Sequence, residues 1–138
     1  MALNRELILQ LSLFGLAMGL ATVFLVPSTA EPFFWLAIFV FCAWAIARRV
    51  AGRHFLHGFL VSLANSVWIT GAHLLLFDSY LARHAEEAAM LERMPMPDSP
   101  RLMMLLTGPL IGVVSGVVLG LFAFVASKLV KPAVAHAT

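Results

Sequence analysis

Four long apolar runs, parted by polar or proline-bearing breaks, organise this chain. The first covers residues 7–26 and stops at Pro27. A run of that length makes about 30 Å of helix, enough to cross the hydrocarbon layer of a bilayer. The second, 33–50, is rich in Phe and Trp and closes on Arg48 and Arg49, whose stems can reach back to the headgroups. The third covers 55–77 and the fourth 102–130. The pattern predicts an all-α polytopic membrane protein: one domain, residues 1–138, built as a bundle of four transmembrane helices. Pro109 falls inside the fourth run. It fits a continuous helix kinked where the Leu105 carbonyl loses its partner, which is the preferred expectation, or a helix that starts there behind a Thr107–Gly108 cap.

The longest connection, 78–101, has a helix-permissive stretch at 79–94. There Tyr80, Ala85, Ala88, Leu91 and Met94 suit an amphipathic turn or two lying on the surface. Pro95, Pro97 and Pro100 then oppose regular helix. Glu86 and Glu87 read as a solvated face.

Charge orients the spans. Arg5, the Arg48–Arg49–Arg53 group, Lys128 and Lys131 share one side with both termini. The other side mixes Arg83, Arg93 and Arg101 with Glu31, Asp78, Glu86, Glu87, Glu92 and Asp98. The positive-inside rule therefore expects cytoplasmic termini and loop 78–101 on the outer side. Ser28-Thr29-Ala30 would also suit cleavage of the first run as a signal peptide. Against this, the run is longer than a signal core and Glu6 sits beside Arg5 at its start. Composition agrees with lipid as the solvent: 62% of residues are hydrophobic and 12% charged, too apolar for a small water-soluble core. A net charge of +2 gives no footprint for nucleic acid. The single cysteine, Cys42, rules out an intrachain disulfide.

Two patterns lie on the helices. Gly108, Gly112, Gly116 and Gly120 recur every four residues in the fourth run, with Ser115, Ala123 and Ser127 continuing the small sector, and the first run carries Ser12, Gly15, Gly19 and Thr22. Such stripes let helix backbones approach closely, within one bundle or between subunits. On the third run, Ser62, Asn65, Ser66, Thr70 and His73 fall in one sector, and Tyr80 would join it if the helix continued. Polar side chains at membrane depth turn towards other helices or towards water. The sector is thus either a hydrogen-bonded core or the lining of a path for an ion or small solute.

His73 can bond a neighbouring helix, relay a proton or bind a metal. His57 and His73 cannot share a haem, lying roughly 24 Å apart along one helix. Met90, Met94 and Met96, with His84 nearby and Met103 and Met104 following, form a thioether-rich outer stretch. His73, His84, Met90, Met94 and Met96 make a candidate Cu(I) set; otherwise the methionines fill apolar surface. No other cofactor is expected. No carboxylate pair lies within a span, and no triad or phosphate loop is spaced for chemistry.

The order of features resembles that of a poorly characterised group of small bacterial four-helix membrane proteins. The shared features are the basic turn Arg48-Arg49-Val50-Ala51-Gly52-Arg53, the Phe55…Gly58-Phe59 opening of the third span, the Asp78-Ser79-Tyr80 start of an acidic loop, and a glycine-rich last span. The resemblance covers most of the chain; it implies a bacterial inner membrane as the location and no activity. The chain is unlike small multidrug exporters, lacking their membrane glutamate, and unlike fluoride channels, lacking their asparagine-plus-phenylalanine signature. The sequence leads to a non-enzymatic membrane protein that self-associates or serves an assembly, with the bilayer and a second copy or another membrane protein as partners. The alternatives are a channel or transporter lined by the third helix, and an outer-face copper accessory protein.

Overall fold

The fold, a computed structural model describing residues 2–133, has six helices and, among the described residues, no strand. They are α1 (Arg5–Phe24), α2 (Glu31–Arg49), α3 (His54–Leu75), α4 (Phe77–Arg83), α5 (Ala85–Glu92) and α6 (Pro100–Leu129). Four of them, α1, α2, α3 and α6, are long and apolar enough to cross a membrane. Their bounds follow local chemistry. Asn4 caps α1, its side chain accepting the Leu7 N–H at 3.0 Å. Pro32 and Pro100 occupy the first turns of α2 and α6, where an N–H would have no partner. Arg53 turns the chain into α3 with φ 54°, a left-handed conformation.

α6 runs unbroken through Pro109, so the continuous helix is the arrangement found. Thr107 accompanies the proline, its hydroxyl donating to the Met103 carbonyl at 2.9 Å. The loop differs from expectation in three ways. First, α3 ends at Leu75, so Tyr80 belongs to a separate helix, α4, rather than to a longer α3. Second, the helical stretch splits at His84, whose φ of −124° and ψ of 70° interrupt it. Third, its apolar residues turn into the protein: Tyr80 and Leu91 are buried and Glu87 is half-buried, whereas Glu86 is exposed. Glu87 therefore leaves the solvated face assigned to it.

α3 is the central element, packed between α1 and α6, while α2 packs mainly on α6. Glycines set these approaches. A Cβ on Gly58 would lie 2.6 Å from the Leu119 carbonyl oxygen and 2.9 Å from the Gly120 Cα. Gly112 and Gly108 face Ser66 and Thr70, Gly116 and Gly120 face Phe59 and Phe55, and Gly15 and Gly19 face Asn65 and Ala72. Both glycine stripes are thus seated on α3 of the same chain.

Helix directions bring the basic residues together. The start of α3 reaches α1 through the Asn4 N–H, which donates to His57 Nε2 at 3.0 Å, and the Arg48 carbonyl accepts from Ala133 at 3.0 Å. At this basic end Leu7, Leu11, Cys42, Ile46, Val61 and Leu119 close a dense core. The far end is looser. The buried residues of α2 all lie between Cys42 and Ala47, and Phe33, Phe34, Leu36 and Val40 nearer its start are exposed. The connection carrying α4 and α5 closes over that end.

Candidate functional site

A cavity of about 720 Å³ opens in the far half of the molecule. It arises where α2 does not press on α3 and where both α3 and α6 present small side chains, Ser62, Ser66, Gly108, Gly112 and Ser115. The polar sector of α3 forms its back wall: Ser62, Asn65, Ser66, Thr70 and His73 all line it, as does Tyr80 from α4. Along α3 this wall extends roughly 16 Å, from Ser62 to His73. The remaining wall is largely apolar, with Met18, Trp35, Phe39, Ile69, Leu110 and Ile111. Below Ser62 and Ser115, which bond each other at 3.0 Å, the packed core of the basic end takes over.

Hydrogen bonding accounts for most of the polar wall. Thr22 and His73 are joined at 2.8 Å between Oγ1 and Nε2. The Thr22 hydroxyl has the Met18 carbonyl at 2.8 Å as an acceptor for its single hydrogen, which leaves His73 Nε2 to donate. Ser66 is satisfied by the Leu63 carbonyl at 2.7 Å. Asn65 is met only in part. Its Oδ1 accepts from the Gly15 N–H at 2.9 Å, but its Nδ2 is buried with no protein partner. Buried amide donors in folded proteins are nearly always bonded.

The outer rim is a column of rings. Tyr80 stacks on His73 at 4.0 Å between centroids and on His84 at 4.3 Å, with interplanar angles of 19° and 22°. His84 is fully enclosed. Its Nδ1 donates to the Tyr80 carbonyl at 2.9 Å, and its Nε2 lies 3.5 Å from Glu31 Oε1, within ion-pair range but outside hydrogen-bond geometry. Burial pushes the Tyr80 phenol above its ordinary range, and the carboxylates of Glu87 and Glu31 push it the same way. Both acids also line the cavity, and Glu87 Oε2 is buried without a partner.

The candidate copper set is only partly gathered. His73, Met90 and Met94 share the cavity, Met96 is not on its wall, and His84 lies behind Tyr80. Among the described residues no three His, Cys, Asp or Glu side chains converge as a metal site. Sequence reasoning missed Glu31, Trp35, Phe39 and Glu87. For Glu87 there was a signal: Glu87, Met90, Leu91 and Met94 fall at i, i+3, i+4 and i+7, one face of a helix. For Trp35 and Phe39 there was none, since both sit in a run that is apolar on every side.

No protein-family model, curated protein or solved structure matches the chain.

Proposed function

We propose that this is a non-enzymatic integral membrane protein that takes a small solute into the cavity from the outer side of a bacterial inner membrane. In this reading the four long helices form a transmembrane bundle, with both termini and the basic end in the cytoplasm. The observation that carries it is the convergence of Ser62, Asn65, Ser66, Thr70 and His73 on one cavity, next to a core that closes the basic end. Pockets of roughly 300–1,000 Å³ with an apolar wall and a few placed polar groups are the form small-molecule sites take. A pocket stopped at one end suits a binding protein, or a carrier held open to one side, better than a continuous pore.

The glycine stripes give less support to self-association, because both are seated on α3. The copper reading keeps His73, Met90 and Met94 on the cavity wall as soft and borderline donors, and it makes Cu(I) one solute to include in a screen.

Proteoliposomes given radiolabelled solutes on one side provide the test, with a panel of inorganic ions, Cu(I), amines, sugars and carboxylic acids. Saturable binding or exchange of at least one solute is expected. It should fall about tenfold or more in Ser115→Trp, which fills the cavity, and persist in Val67→Leu, on an exposed face of α3. Unsaturable ion conduction, or no binding or exchange across the panel, contradicts the proposal.

A further inference from the structure

We infer that the cavity selects an organic ammonium: a cation with an apolar body and a hydrogen-bond acceptor at its inner end. This rests on the reading of the cavity as a small-molecule site and adds the charge and polarity of the ligand.

Three observations point the same way. The first is the sign of the lining. Among the described residues its only carboxylates are Glu31 and Glu87, and it includes no lysine or arginine. Among the described residues neither acid has a lysine or arginine within ion-pair distance. Two arginines of that end are directed elsewhere: Arg83 donates to the Phe24 carbonyl, and Arg101 lies 3.9 Å from Asp78 and over the Phe77 ring. The second is the pair of unmet groups on lining residues, the third unmet atom, His84 Nε2, lying behind Tyr80 and 3.5 Å from Glu31. Glu87 Oε2 is a buried acceptor with no donor, at the rim. Asn65 Nδ2 is a buried donor with no acceptor, on the α3 wall, on a residue only 2% exposed. A molecule positive at one end and accepting at the other meets both. The third is the rest of the lining. Trp35, Phe39 and Tyr80 bring aromatic rings to the cavity, and Met18, Ile69 and Met90 supply apolar surface. Aromatic faces attract quaternary and tertiary ammonium groups without needing a hydrogen bond.

An anion would meet two carboxylates and no lysine or arginine, with like-charge repulsion in a partly dry site. A neutral molecule could occupy the apolar part but would leave Glu87 Oε2 unanswered. A hydrated inorganic cation would gain little from the aromatic wall and would leave Asn65 Nδ2 unmet.

The test compares two probes of one shape. Benzoylcholine carries a trimethylammonium group and an ester carbonyl, and 3,3-dimethylbutyl benzoate replaces the nitrogen with carbon. Each is titrated calorimetrically into the full chain in lipid nanodiscs, against empty nanodiscs. Benzoylcholine is expected to bind at least about tenfold more tightly than the neutral ester, the scale of one charge-assisted contact. Glu87→Gln and Glu31→Gln should each reduce that ratio, and the double substitution should bring it close to one. Asn65→Ala should weaken both probes alike and leave the ratio intact. Equal binding of the two probes by the unaltered protein overturns the ammonium assignment while the cavity remains a small-molecule site. Binding of neither likewise overturns the ammonium assignment, and the solute panel then decides the small-molecule reading. If circular dichroism shows that a glutamine variant does not fold, the salt dependence of benzoylcholine binding by the unaltered protein decides. Weakening with rising salt is expected, and salt-independent binding counts against the assignment.

Discussion

Gly58→Leu and Gly120→Leu are expected to prevent α3 and α6 from docking. The two glycines meet where these helices cross. A Cβ on Gly58 would stand 2.6 Å from a backbone oxygen, and one on Gly120 would lie 2.7 Å from the Phe55 ring and 2.9 Å from its carbonyl oxygen. Backbone cannot rotate aside as a side-chain tip can. Each substitution should therefore reach or exceed the upper end of overpacking costs, about 3 kcal/mol. In detergent this would appear as loss of a monodisperse peak and of the cooperative thermal transition. Gly71 supplies the control, since nothing lies within 4 Å of a Cβ built there. Gly71→Ala in mid-helix should stabilise by roughly 0.5–1 kcal/mol. A Gly120→Leu protein that stays folded and changes only its oligomeric mass would place the stripe between subunits.

Tyr80→Ala should release the cap over the cavity. The Tyr80 ring lies between His73 and His84 and stacks the α4–α5 segment on the polar wall. Truncating a buried aromatic costs about 3–5 kcal/mol, which at the lower end is about a hundredfold in the population of an open state. Trypsin added to the purified protein should then cleave after Arg83 and Arg93 roughly a hundred times faster. Tyr80→Phe keeps the stacking ring and should behave like the unaltered chain. Equal cleavage of Tyr80→Ala and unaltered protein would mean that the ring stack does not hold the cap.

Much of this architecture is legible in the sequence because each long helix announces itself. An apolar run that stops at Pro27, or one that closes on Arg48 and Arg49, needs no partner to be recognised, and one polar sector on α3 follows from the helical repeat alone. The four-residue glycine repeat likewise shows a close approach, though not to which helix; Ser66 and Thr70 opposite Gly112 and Gly108 supply that. The cavity is a different kind of feature. It depends on α2 packing through Cys42–Ala47 while its first half stands away, a relation between helices that no single run records. Glu31 and Glu87 join the site for the same reason. One begins α2 at the end of a loop, and the other looks solvated until α5 folds over the rim. The break at His84 escaped notice because Ser79 to Met94 contains neither Gly nor Pro, so local propensity permits one helix, whereas the His84 ring Nδ1 takes the Tyr80 carbonyl while its backbone N–H bonds the Leu81 carbonyl.

The central claim is that the polar face of α3 borders a water-accessible cavity open to the outer side of the membrane. Single cysteines in a Cys42→Ser background test it in intact spheroplasts, using a membrane-impermeant cationic methanethiosulfonate that reacts with thiolate and so only where water reaches. Ser115→Cys within the cavity and Ala89→Cys on α5 should both be modified from outside, and Ala51→Cys in the basic turn only after permeabilisation. Modification of Ser115→Cys only from the cytoplasmic side, or from neither side while Ala89→Cys reacts, would contradict the account.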